Sequence, residues 1–510
     1  MLTTSFRLSA ISVVVAMLSL GCQILTARSF GARHLFDLYL FAMSIPFLVT
    51  GAATGSLSQA FVPRLMSTRH QGRIYQNSVA TLLLISVVAG AAIAFGGLSV
   101  TEWSTSALGS VFTASDRSAV ISIARVAWLS SGLALLVSAL TAVHHAEKSF
   151  LLPAITGTAL YGGMIAAMLG FRSPRTPIIL VWGMLAGSLL SVLVLLPRVL
   201  RCVTFHSFAQ PELASLFAGA GRVVLVLMAN CAFCGVAPVE AFLAPKFGPG
   251  ALSYLGYAER LIIAMGAVVV AGPSVLLVPA VAEAYLAKDM ERVHRLALQT
   301  LAAVTVIATL LGLIFCMIRV PVISLVLQRG AFDAATTRGV ADTLPWMLVG
   351  SIAMFGTQIV FRVLYGQNMH TFPATIGLIV PGLYLIVALG LGHSFGFQGI
   401  CIAYAISWWL AFLVLLVKIF GVRWQRIWGL ASAPLKGTLV ALVITGSTVF
   451  AGQRLLLPPQ PSRGNLALAL RCLTVAGLGI ASFAVSGAIL WLRSDGGAWP
   501  PGRRHSSPGK

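Results

Sequence analysis

The chain has 510 residues, 58% of them hydrophobic and only 9% charged, and its mean hydropathy is +0.94. Soluble domains carry about 25% charged residues, so this composition excludes a soluble fold and calls for an all-α, polytopic membrane protein. The net charge of +21 comes from 34 basic against 13 acidic side chains. With no soluble basic domain to hold it, that charge belongs to the lipid headgroup surface and not to nucleic acid.

Apolar runs of 18 or more residues predict about 14 transmembrane helices. They lie at 8–27, 36–60, 77–98, 119–143, 151–170, 177–197 and 219–243 in the first part of the chain. The others lie at 251–280, 295–317, 339–365, 372–392, 396–418, 433–452 and 467–492. The first run follows Arg7 and ends in Thr26-Ala27-Arg28, without a small-residue cleavage site, so it reads as a retained helix and not a signal peptide. Cys231-x-x-Cys234 lies in the seventh run with no second Cys/His pair at ligand spacing, which makes helix packing its expected role and predicts no metal site. The break between the seventh and eighth runs is Pro245-Lys246-Phe247-Gly248-Pro249-Gly250. Prolines 46, 238, 273, 345 and 381 inside runs predict kinks that neighbouring helices can tolerate. The Gly/Pro/Arg-rich tail 494–510 reads as disordered. With the N-terminus inside, 18 loop and tail Lys/Arg residues fall on the inner side against 11 outside, which places both termini in the cytoplasm.

Short motifs repeat along the chain. Ala27-Arg28-Ser29-Phe30-Gly31 is answered by Ala244-Pro245-Lys246-Phe247-Gly248, Phe41-Ala42 by Tyr257-Ala258, and Val62-Pro63 by Val278-Pro279, at offsets of 216–217. Phe150 to Ala154 is answered by His370 to Ala374 at about 220. The organisation is therefore two related six-helix bundles, 1–200 and 218–420, followed by two appended helices at 430–493. Paired bundles are the general architecture of secondary transporters, with a substrate site between them.

Ionisable residues within or at the edges of these runs are costly and mark functional candidates. Arg222, Arg362 and Arg471 lie near helix ends and can snorkel to the interface. Asp342 and Asp37 sit near helix starts, where the dipole favours an acid. Arg260 is ten residues into the eighth run, next to Glu259. Adjacent helical positions diverge by about 100°, so Arg260 can face a central cavity while Glu259 faces a neighbouring helix; a structural ion pair is the competing reading. Arg125 is a second candidate cavity cation. Glu240 is a candidate charge partner or, with Glu259, a coupling site for a cation such as sodium or a proton. Fixed arginines suit an anionic cargo, since guanidinium groups bind phosphate oxygens in a forked geometry.

The sequence resembles the MurJ/MviN family of the MOP superfamily. The resemblance is carried by Ala27-Arg28-Ser29-Phe30-Gly31, Ser58-Gln59-Ala60-Phe61-Val62-Pro63, Tyr257-Ala258-Glu259-Arg260-Leu261, Leu276-Leu277-Val278-Pro279 and Gln328-Arg329-Gly330-Ala331-Phe332-Asp333. These occur in order over about the first 420 residues. The resemblance implies fourteen helices, a bacterial inner-membrane location and a polyprenyl-diphosphate-linked glycan as cargo, specifically the peptidoglycan precursor lipid II. It also implies a substrate-facing role for Arg260 and for Asp37, which remains in the first half, with Arg28 of the first matched segment a further candidate, and a lipid-tail groove formed by the two appended helices. The chain departs from the family where members carry Arg-Asp in the first helix, and a basic pair and Glu-Gly in the second. Here those positions hold Cys22-Gln23, Val49-Thr50 and Thr54-Gly55, which predicts a first bundle poor in cavity charge.

Competing functions follow from the same architecture. A flippase for another lipid-linked polysaccharide unit (O-antigen or exopolysaccharide) is the nearest. A membrane-embedded glycosyltransferase or ligase would want clustered carboxylates on outer loops, whereas Glu102, Asp116 and Asp333 are scattered and His144-His145 has only Glu147 nearby. A cation exporter of the MATE type would want acidic cavity residues, and a non-transporting scaffold would tolerate the thinned charge. The expectation is therefore a transporter, not an enzyme, and no cofactor.

Overall fold

The computed structural model describes residues 2–107, 113–170, 176–204, 207, 213–421, 424–457 and 466–493. Within these, side chains are described except at 2–10, 54–55, 58–60, 63–64, 107, 213–220, 271–276, 424–439, 466 and 487–493. The tail expected to be disordered, 494–510, lies outside the described residues. What is described is helical, without strands. The first half comprises α1 (Leu2–Phe30), α2 (His34–Thr68), α3 (Arg73–Ala107), α4 (Ala114–Ala146), α5 (Leu151–Gly170) and α6 (Ile178–Leu200). The second comprises α7 (Leu213–Cys234), α8 (Val236–Leu243), α9 (Ala251–Leu286), α10 (Met290–Met317), α11 (Arg319–Leu327), α12 (Ala334–Gly366), α13 (Thr371–Phe395) and α14 (Phe397–Phe420), with a short 3₁₀ turn, Ala244–Phe247, before α9. The appended pair is α15 (Trp424–Leu456) and α16 (Leu466–Arg493).

Twelve of these helices are long and apolar enough to cross a membrane, and a thirteenth span is the bent pair Gly221–Cys234 and Val236–Phe247. The expected span at 433–452 falls within α15, whose described apolar stretch is Val440–Leu456. One feature sharpens the sequence expectation, the kink that Pro238 predicts in the seventh run, and another differs from it. The seventh span is broken, bending by 40° at Gly235, where a side chain would meet the Cys231 carbonyl and the Pro381 ring. The stretch 319–327, expected as loop, is the helix α11. Arg319 pins its start by donating to the carbonyls of Cys316 (2.8 Å) and Ala341 (2.9 Å).

The repeat is visible in the backbone itself. Helix starts at His34 and Ala251, and at Arg73 and Met290, are 217 residues apart; those at Ala114 and Ala334, and at Leu151 and Thr371, are 220 apart. Residues in the left-handed region recur with them: Gly31 and Gly248, Gly72 and Lys288, Lys148 and Asn368. A non-glycine residue seldom adopts positive φ, so Lys148 and Asn368 mark equivalent turns. Helix caps repeat too, with Thr113 capping α4 and Asp333 capping α12.

Packing places α4 and α12 at the centre of their bundles. Of their apolar windows, 67% and 72% are buried, against 11% for α5, which faces outward. In the first half, Glu147 accepts from Arg69 (3.1 Å) and Tyr75 (2.6 Å), tying the ends of α2, α3 and α4 together. Val449 and Val475 of α15 and α16 pack on Leu310, Ile314 and Ile318.

Candidate functional site

The two halves meet where α1 ends and α9 begins, at three chain turns each made by a glycine with positive φ: Gly31 (+59°), Gly250 (+91°) and Gly330 (+59°). A side chain on Gly31 would collide with the Ala331 carbonyl oxygen, and one on Gly330 with the Arg28 carbonyl. Both the backbone conformation and the close approach therefore require glycine. The Ala331 N–H donates to the Arg28 carbonyl (2.8 Å), joining the first half to the α11–α12 turn.

Beside these turns lies Asp37. Its buried carboxylate accepts from the Gly250 N–H, the Ser253 N–H (2.8 Å) and the Ser253 hydroxyl. An acid in the first turn of α2 thus caps α9 of the other half. Free N–H groups and the dipole at a helix N-terminus stabilise such an anion, and three hydrogen bonds offset much of its desolvation. Beneath the latch, Phe36 stacks on Tyr39 (5.4 Å) and Tyr257 (5.2 Å), and Phe332 packs edge-on against Tyr257 (5.1 Å). The Tyr257 hydroxyl donates to the Gly31 carbonyl (3.1 Å). Latch and aromatic plug close this end between the halves. Further down, the Asn230 amide donates to Ser56 (3.3 Å), and Gly51 packs on Cys234.

Arg260 lies just below the plug. Its guanidinium sits 5.5 Å from the Phe36 ring centre and 5.8 Å from that of Tyr257. Among the described residues no carboxylate lies within ion-pair distance of it. Cation–π contacts hold the charge in place but leave the N–H fork open to an anion. Its electrostatic neighbours in the first half are Tyr39 and Cys22, the latter at a position where the family pattern would put a charge. Glu259 makes no ion pair with Arg260 but lies within electrostatic reach of it, and also of Glu240, Cys234 and Tyr404. Glu240 is buried, with the Tyr384 hydroxyl 3.4 Å away; its charged neighbour is Glu259, not an arginine. The seven cysteines are all free.

The remaining candidates lie apart. The Arg125 side chain is exposed on α4, on a stripe with Ser118, Ser122 and Leu129. Arg28 engages the other half through its backbone while its side chain is exposed. Thr50 donates to the Pro46 carbonyl (2.7 Å) and so is internally satisfied. The residues that sequence reading missed are Ser253, Phe36 and Phe332. Gly31, Gly330 and Phe332 did lie in the motifs that carried the resemblance.

Two apolar concavities flank the second half. One, of about 540 Å³, is lined by residues of α15 and α16 including Thr448, Gly452, Leu455 and Leu478. The other, of about 220 Å³, is lined by Met265, Leu311, Ile314, Phe315 and Ile318.

Comparison with known proteins agrees with this architecture. A curated lipid II flippase MurJ from Burkholderia cenocepacia is 26% identical over 408 residues, covering 76% of this chain and 78% of its own. Among solved structures, the chain is similar to a lipid II flippase MurJ in an inward closed conformation, with TM-score 0.74, 16% identity, and 96% and 99% of the two chains covered. It is also similar to an inward-facing MATE family multidrug transporter of the MOP superfamily, with TM-score 0.65, 14% identity, and 82% and 98% covered. The difference in coverage of this chain amounts to about 70 residues, the size of the α15–α16 pair. The family model described as "Lipid II flippase MurJ" matches residues 26–460. The chain therefore belongs to the lipid II flippase MurJ family and is a multi-pass membrane transporter, not an enzyme.

Proposed function

We propose that this protein carries lipid II, a polyprenyl-diphosphate-linked glycan, across the bacterial inner membrane by alternating access, with Arg260 gripping the diphosphate. The observation that carries this reading is an arginine held by aromatic rings, unpaired with any described carboxylate, directly beneath a closure between the two halves. The functional units are 1–200, 218–420 and the 430–493 pair, with both termini cytoplasmic, as the 18-to-11 Lys/Arg bias favours. The Asp37 latch then lies on the periplasmic side. Releasing Asp37 from α9 and parting the Phe36–Tyr257 stack opens that side, and the cargo leaves outward. The groove on α15 and α16 accommodates the apolar tail, whose transfer to water would be costly. Arg28 at the latch and Arg125 on α4 are secondary contacts for the headgroup. The buried Glu240 and the half-buried Glu259 supply a coupling site for sodium or a proton, since a cation there relieves the repulsion between two carboxylates in a low dielectric.

The test is complementation of a bacterium depleted of its own lipid II flippase. Growth with this chain, and loss of growth with Arg260→Ala at equal protein level, is the expected result. Failure of the wild-type chain alongside rescue of an O-antigen or exopolysaccharide flippase mutant would reassign the cargo.

A further inference from the structure

A second group of cations lies at the far end of the second half, where α12 ends and α13 begins. On α12, Arg362 and Tyr365 are one turn apart and share a face. The Tyr365 ring stacks on His370, in the following turn, with centres 5.4 Å apart and planes at 27°. Arg222 of α7 lies at the same level. Gly377 of α13 packs on the backbone of Met228 and Ala229, and Gly235 packs on Pro381, so the two helices run parallel. Counting back from those contacts to Arg222 and to His370 moves about 9 and about 10 Å toward the same membrane face. Burial first, and then the Arg222 charge, hold the His370 imidazole below the usual histidine range.

Nothing described neutralises this group. Among the described residues the ion pairs involve none of Arg222, Arg362 or His370. Two of its buried polar atoms, the Tyr365 hydroxyl and His370 Nδ1, have no hydrogen-bond partner, while His370 Nε2 meets the Asn368 side-chain oxygen at 3.2 Å. Buried polar groups are ordinarily paired. Two guanidinium forks and two unpartnered polar atoms, with no described carboxylate at ion-pair distance, fit an anion that offers several oxygens at once, which is the geometry of a phosphate.

We propose that Arg222, Arg362, Tyr365 and His370 form a phosphate-binding site distinct from Arg260. Gly266 of α9 packs on Phe355 of α12, and counting along both helices from that contact separates Arg260 from Arg362 by about 20 Å. Arg260 therefore lies inside the second half and the other group at its end remote from the Asp37 latch. A phosphate on a lipid headgroup reaches the one at the α12–α13 turn from the membrane face remote from the Asp37 latch. The proposal goes beyond the transport reading and stands or falls by binding alone.

The test uses the full chain in phosphatidylcholine nanodiscs, in an Arg260→Gln background, with three probes: a short polyprenyl diphosphate, phosphatidylglycerol and inorganic phosphate. Arg222→Gln with Arg362→Gln is expected to weaken binding of at least one probe by about tenfold or more, as loss of charge-assisted bonds implies; Tyr365→Phe is expected to cost less. Binding of the diphosphate alone identifies cargo. Retention of phosphatidylglycerol identifies a bilayer lipid, and competition by inorganic phosphate identifies a general phosphate site. A second readout needs no substitution: phenylglyoxal modification of Arg222 and Arg362 in the wild-type chain is expected to slow when the bound probe is present. Unchanged affinity for all three probes, or unprotected arginines under saturating probe, would overturn the assignment.

Discussion

The two halves share their helix register and their turn conformations, yet they differ in what they hold. The second half keeps Arg260, Glu259 and Glu240 inside it, and Arg222, Arg362 and His370 at one end. The first half has Cys22 and Thr50 at positions where its family carries charge, and its one mid-span arginine, Arg125, is exposed. What the first half contributes is closure: Asp37, Phe36 and the Gly31 turn. A duplicated fold thus constrains backbone geometry much more tightly than side-chain chemistry. One copy here has specialised in holding charge and the other in sealing the path.

The largest expected effect comes from the charge-holding half. Arg260→Ala should lower lipid II translocation by about a hundredfold, the cost of losing a forked guanidinium–phosphate contact in a desolvated site, while Arg260→Lys keeps part of it. The next comes from the seal. Asp37→Ala removes three hydrogen bonds and a helix-capping charge, about 2–4 kcal/mol by usual magnitudes. It should raise the accessibility of a cysteine placed at Ala32 to a membrane-impermeant thiol reagent. Gly31→Ala should do the same through its collision with Ala331. A smaller effect is expected at the tail groove. Ala451 lines that groove, and Ala451→Phe should weaken binding of long polyprenyl lipids by severalfold and leave a soluble diphosphate headgroup analogue unaffected, because each buried methylene contributes about 0.8 kcal/mol.

The smallest concerns Asp333, the cap of α12. Its carboxyl is held below the usual range chiefly by the Thr336 N–H, with the Arg33 charge adding to it. A depressed carboxylate stabilises the fold above its unfolded pKa, and that contribution is lost as pH falls through the lower folded value. Acidification below the ordinary carboxylate range should therefore remove it, and Asp333→Ala should lower thermal stability at neutral pH by about 1 kcal/mol.

Much of this contrast was legible in the residues. Offsets of 216–220 between short motifs reappear in the helix starts: the Phe-Gly pairs mark turns that both halves need, and the Val-Pro pairs fall inside the corresponding helices α2 and α9. That the adjacent Arg260 and Glu259 diverge by about 100° follows from helical geometry alone. The latch was not legible: Asp37 and Ser253 are 216 positions apart, and an acid in the first turn of a helix reads as its own helix's business. The break at Gly235 was legible in part, since Pro238 predicts a kink in that run, and packing against Pro381 fixes where it falls. α11 is apolar but too short to span, so it passed for loop. The group around His370 is assembled from α7, α12 and a turn, and no local pattern announces it.

The account rests on Arg260 as the diphosphate grip. Reconstituting the wild-type chain and Arg260→Ala into vesicles loaded with lipid II, and following headgroup exposure on the far side, tests it most directly. The account expects rapid exposure with the wild type and near-background exposure with Arg260→Ala at equal incorporation. Equal rates for both would contradict it.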